Sequence, residues 1–133
     1  MEIAKQYVSV VAEHLIKTNE LAAQAFQEVR SSILNNVTPG SNHFILNCTR
    51  KNCNGVVPVK ERCYQILEEE FGWYREKTLT YFHEDAQKGG SIDVYKKFTT
   101  ERSFFRAGLE FETGNSSSAH RSMNKLCVGI KKG

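Results

Sequence analysis

The chain has 133 residues and a formal net charge of +3, a length that suits one domain and leaves little room for two. With 40% hydrophobic and 25% charged residues, its composition is globular and excludes collagen-like, fibrous and disordered classes. No apolar run approaches the length of a membrane-spanning helix, and Met1–Gln6 shows no basic stretch leading into an apolar block, so neither a membrane anchor nor a signal peptide is expected. The basic excess permits a nucleic-acid partner without requiring one.

In chain order, residues 2–17 read as an amphipathic helix, with Ile3, Tyr7, Val11 and Leu15 four apart. Thr18 or Asn19 can cap a second helix that runs to about Ile33 along a stripe of Leu21, Ala25, Val29 and Ile33, widened by Phe26. Asn35-Asn36 and Pro39-Gly40-Ser41-Asn42 break the pattern. His43–Leu46 fits a short strand, and Asn47–Gly55 a basic loop with Arg50 and Lys51. A third helix starts near Val57-Pro58, where a proline's missing N–H costs nothing. Its expected buried stripe is Cys63, Ile66, Leu67 and Phe71, extended to Tyr74, and it ends or kinks near Gly72. The segment Trp73–Lys77 that follows receives no element. Lys88-Gly89-Gly90 is a turn signal, Ser91–Phe98 reads as a strand, Thr99–Ser103 as a hairpin-sized connection and Phe104–Thr113 as a second strand. A fourth helix runs from Ser116 or Ser117 to about Lys131, with Met123, Leu126, Cys127 and Ile130 on one face.

The four cysteines include no Cys-x-x-Cys pair. Reduced, buried or incidental thiols are therefore expected, rather than a zinc site drawn from His43, Cys48, Cys53 and Cys63.

The informative chemistry is acidic. Side chains alternate faces along a strand, so Glu110 and Glu112 share a face and Phe111 points away. If the two strands pair, Asp93 lies beside them and three carboxylates converge. Such a patch is costly unless a cation sits in it, and hard oxygen donors suit Mg²⁺ or Mn²⁺. Phosphodiester hydrolysis uses sites of this kind. The same residues also fit a solvated strand edge with an unrelated aspartate. Beyond them, Gly114–Arg121 leads into a helix N-terminus, which attracts anions. Asn115 and Arg121 are suited to adenine and guanine edges in a major groove. A serine-capped helix with a solvated arginine accounts for the segment equally well.

Several blocks are more specific than any of these motifs. Asn52–Pro58, Trp73–Lys77, Gly89–Lys96, Glu110–Asn115 and Ser117–Leu126 resemble the BamHI family of type II restriction endonucleases, in register through nearly the whole chain. The resemblance implies an α/β, PD-(D/E)xK restriction-endonuclease-like fold, a central mixed β-sheet flanked by helices. Two departures from that motif stand out: Ser91-Ile92 precedes Asp93 where a proline is usual, and Glu112 stands where most relatives carry lysine.

The resemblance further implies a homodimer in a bacterial cytoplasm. It would cut double-stranded DNA at the palindrome GGATCC with Mg²⁺ (Mn²⁺ substituting), leaving 5′-phosphates, with no membrane partner and no organic cofactor. Carried over, Asp93 and Glu110 match the metal-holding carboxylates, and the Phe111 backbone carbonyl is a further expected ligand. Glu112 matches the group that activates the attacking water, and Glu76 a fourth acidic residue of the catalytic and metal site. Asn115, Ser117 and Arg121 match base-reading positions, and Lys60 a phosphate contact. The helix from Ser117 looks like the family's dimer helix, which makes Met123, Leu126, Cys127 and Ile130 candidate interface residues. Members of the family extend well past the point matching Gly133. The expectation is therefore a single catalytic and DNA-binding nuclease domain over 1–133 that lacks its C-terminal part and, expressed alone, is poorly folded and inactive. The alternatives are a non-catalytic, sequence-specific DNA-binding dimer, with the carboxylates a solvated strand face, and an interaction protein using only the Ser117 helix.

Overall fold

A computed structural model describes residues 6–38, 40–43, 45, 57–78, 91–111, 122–123 and 126, with only the backbone described for 76–78. The chain divides into two compact units, Met1–Gly72 with Phe98–Phe105, and Trp73–Lys97 with Arg106–Gly133.

The first unit is built on three helices, α1 (Val10–Thr18), α2 (Glu20–Leu34) and α3 (Val57–Phe71), with α2 packed against both others. Ser9 starts α1 by accepting the Ala12 N–H at 3.2 Å, and Glu13 pairs with Lys17 one turn on at 2.7 Å. The expected start near residue 2 moves to Val10, and the proposed stripe is not buried: Tyr7 is 81% and Val11 79% exposed. Asn19 serves two helices. Its N–H closes α1 on the Leu15 carbonyl at 2.9 Å, and its Oδ1 accepts the Ala22 N–H of α2 at 3.0 Å.

The most buried face of α2 is Ala22, Ala25, Glu28 and Ser32. It shares Ala25 with the expected stripe, whose Leu21, Phe26, Val29 and Ile33 are only half-buried. Small side chains let helices approach closely, and the polar members of that face have partners. Gln24 donates to Glu28 at 2.8 Å, and Ser32 donates to the Val29 carbonyl and lies 3.3 Å from the Cys63 sulfur. Asn36, just past α2, donates to the Val59 carbonyl in the first turn of α3 at 2.7 Å.

On α3 the buried residues are Cys63, Tyr64, Ile66 and Leu67. Gly72 then stops the helix. Its φ of +67° is left-handed, and its N–H closes on the Glu68 carbonyl at 3.1 Å. The expected strand at His43–Leu46 does not form where it is described, since His43 lies in a bend.

The second unit holds most of a three-stranded sheet of order β1-β2-β3: β1 Tyr74–Thr78, β2 Ser91–Thr99 and β3 Phe104–Leu109. β1 falls on the segment given no element above. Tyr74, assigned to the buried stripe of α3, is instead an exposed strand residue, while Trp73 is buried. β1 and β2 are antiparallel, with Arg75 opposite Val94 and Lys77 opposite Ile92. Ile92 and Val94 are buried, whereas their neighbours Ser91, Asp93 and Tyr95 on the other face are half-buried. The β2–β3 connection closes through the Thr100 N–H to the Ser103 carbonyl at 2.8 Å, and the Phe98 and Phe105 rings flank it with centroids 6.5 Å apart.

The described sheet is antiparallel rather than mixed in strand direction. No helix among the described residues is long and apolar enough to cross a membrane.

Candidate active site

Asp93 and Glu110 lie near one end of β3, within the second unit. β3 stops at Leu109, short of the expected Thr113, so Glu110 and Phe111 follow the strand rather than extend it. The alternation argument therefore does not apply to Glu110. A different contact places it: the Phe111 N–H donates to Asp93 Oδ2 at 3.1 Å. An N–H bonded to a side-chain carboxylate is not given to a sheet ladder, which is a physical reason for the strand to end here. The same bond holds Asp93, on β2, against the backbone that carries Glu110.

Glu110 is half-buried, and its Oε2 accepts from Ser122 Oγ at 3.4 Å. Ser122 is buried at 5% exposure and belongs to a helical stretch. A serine in a serine-rich segment carries no pattern that would have marked it. Glu76 lies in β1, and the constant register, with Arg75 opposite Val94 and Lys77 opposite Ile92, puts its backbone position across from Asp93. The structure thus brings together Asp93, Glu110 and Phe111, with the Glu76 backbone position adjacent.

Leu126 is half-buried. A Cβ built on Gly108 would meet its Cδ2 at 3.2 Å and Ile92 Cγ2 at 3.3 Å, so this leucine seats on the sheet of its own chain. Met123 is 63% exposed. Lys60 belongs to the first unit, where its ammonium lies 5.3 Å from the Tyr64 ring centroid. Glu112, Asn115, Ser117, Arg121, Cys127 and Ile130 fall outside the described residues.

Among the described residues no group of three or more His, Cys, Asp or Glu side chains is close enough to hold an ion. Asp93 and Glu110 offer carboxylate oxygens near one strand end, Asp93 through its bond to the Phe111 N–H and Glu110 one residue before that amide. That chemistry fits a hard divalent cation, with oxygen ligands and no sulfur or imidazole.

The model of the family described as restriction endonuclease BamHI matches residues 1–133. The chain belongs to the BamHI restriction endonuclease family. The type II restriction enzyme BamHI of Bacillus amyloliquefaciens is 50% identical over 134 residues, covering all of this chain and 63% of that protein. The type II restriction enzyme OkrAI of Oceanobacter kriegii is 37% identical over 91 residues, covering 68% of this chain and 43% of that enzyme. The chain thus spans less than two thirds of the length of the BamHI family members it matches, and it is a homologue of type II restriction enzymes.

Proposed function

We propose that this chain carries the cleavage centre of a type II site-specific endonuclease, a Mg²⁺-dependent phosphodiesterase acting on double-stranded DNA as a homodimer at GGATCC or a close variant. The observation that carries the proposal is the bond from the Phe111 N–H to Asp93. It joins the acidic residue of β2 to the Glu110 end of β3 in a chain of the BamHI family. The PD-(D/E)xK arrangement belongs to the same proposal.

Asp93 and Glu110 would hold the cation, with the Phe111 carbonyl and Glu76 completing its protein ligands. When bound, Mg²⁺ neutralises charge on the phosphodiester and raises the acidity of the attacking water. Glu112 accepts that water's proton, a role a carboxylate can take where it only has to orient the water and receive a proton. Asn115, Ser117 and Arg121 read base edges, and Lys60 meets a phosphate. Met123, Cys127 and Ile130 contribute to the dimer face. Leu126, seated over Gly108 of its own chain, contributes less than its place on the helix suggested. A twofold dimer matches a palindrome, one protomer per half-site.

The test is digestion of a plasmid of known sequence by the full-length protein, with Mg²⁺ or with EDTA, followed by mapping of the ends. Metal-dependent cuts confined to one palindrome are expected. Equal cutting of a scrambled site would remove the specificity, and binding without cutting would favour the non-catalytic DNA-binding dimer.

A further inference from the structure

We infer that Ser122 is a positioning residue for Glu110, setting the carboxylate on which cation binding depends; this rests on the nuclease function proposed above. Three observations within the second unit carry the inference. Ser122 is buried, and its hydroxyl lies 3.4 Å from Glu110 Oε2. Glu110 follows β3 rather than lying within it. Leu126, four residues after Ser122, has its Cδ2 over Gly108, within 3.2 Å of where a Cβ would stand. The gap at Gly108 thus receives Leu126 on the sheet, and Ser122 places a hydroxyl at the acidic strand end.

Both carboxylates are then oriented by the chain itself, Asp93 by the Phe111 N–H and Glu110 by Ser122. A ligand carboxylate with a fixed rotamer loses less freedom when a cation arrives. Groups hydrogen-bonded to metal ligands commonly change affinity 10–100-fold when removed.

The experiment compares the full-length protein with Ser122→Ala and Ser122→Thr. Manganese binding without DNA is followed by electron paramagnetic resonance. Mg²⁺ dependence of cleavage, DNA affinity in EDTA and the thermal midpoint are measured alongside. Ser122→Ala is expected to weaken Mn²⁺ binding and raise the half-saturating Mg²⁺ about 10-fold, with DNA affinity in EDTA unchanged. Ser122→Thr, which keeps the hydroxyl, is expected to restore both metal readouts. Metal dependence in Ser122→Ala equal to that of the parent would overturn the positioning role and leave the nuclease proposal standing. So would a loss that Ser122→Thr does not rescue. A parent protein that neither binds Mn²⁺ nor cuts would instead overturn the nuclease proposal itself.

Discussion

At the scale of single residues, Asp93 has two separable duties. One oxygen accepts the Phe111 N–H; the other duty, proposed above, is cation binding. Asparagine keeps an acceptor of similar reach but loses the charge, whereas alanine loses both. Asp93→Asn is therefore expected to retain slow hydrogen exchange at the Phe111 amide and Asp93→Ala to lose it, since a backbone donor without its acceptor opens readily. Both should lower cleavage about 100-fold or more, because several kcal/mol of charge stabilisation goes with the metal. Fast exchange at Phe111 in Asp93→Asn would show that the charge, not the acceptor, holds the strand end.

Cys63 shows a different residue-scale effect. Burial pushes its thiol pKa up, outweighing the opposing influence of Ser32. A group whose folded pKa is raised stabilises the fold fully below its unfolded pKa, about 8.5 for a thiol, and loses that contribution as pH rises through the folded value. The urea midpoint is expected to fall between pH 8 and pH 10, and to fall less in Cys63→Ala. An identical drop in both proteins would assign the loss to other groups. Labelling by a thiol reagent should also be slow at Cys63 in the native protein and fast in urea.

Elements show most clearly what the sequence could and could not foretell. The start and end of α2 and all of β2 but its last residue follow from local signals: an asparagine cap, Asn35-Asn36 as a stop, and alternation after the Gly89-Gly90 turn signal in the sequence. β1 was invisible because Tyr74-Arg75-Glu76-Lys77-Thr78 has no apolar alternation; pairing with β2, a tertiary effect, makes it a strand. The buried face of α2 was misplaced because periodicity ranks residues by hydrophobicity, whereas the packed face uses alanine, serine and a hydrogen-bonded glutamate. At the site, the sequence put Asp93 and Glu110 on two neighbouring strands, and the structure keeps Asp93 on β2 but places Glu110 just past β3. The end of β3 at Leu109 and the part played by Ser122 were not legible, since both depend on side-chain bonds between segments far apart in sequence. Asn19 offers an element-scale test because its side chain caps α2 while its N–H closes α1. Asn19→Ala removes only the first of these and is expected to cost about 1 kcal/mol. Asn19→Asp or Asn19→Ser should recover most of it in a urea melt. A loss unchanged by those replacements would mean that packing, not capping, is what Asn19 supplies.

Over these 133 residues, a net charge of +3 is too small to bind a polyanion tightly by its overall field. Affinity for DNA has to come from particular cations placed against phosphates. Lys60 is half-buried, with its stem on α3 and its ammonium against the Tyr64 ring, so it is held in place more firmly than a free surface lysine. Under the proposed function it meets a phosphate, and each such contact adds about 0.9 to the slope of log affinity against log salt. Lys60→Gln is therefore expected to lower that slope by about 1, measured in Ca²⁺ or EDTA so that nothing is cut, and to weaken specific and scrambled duplexes alike. Arg121→Ala should behave oppositely, collapsing the preference for the palindrome by about 1–3 kcal/mol per half-site while leaving non-specific affinity close to the parent's. An unchanged slope in Lys60→Gln would remove Lys60 from the DNA surface. Equal losses on both duplexes in Arg121→Ala would make that arginine a phosphate contact rather than a reader of bases.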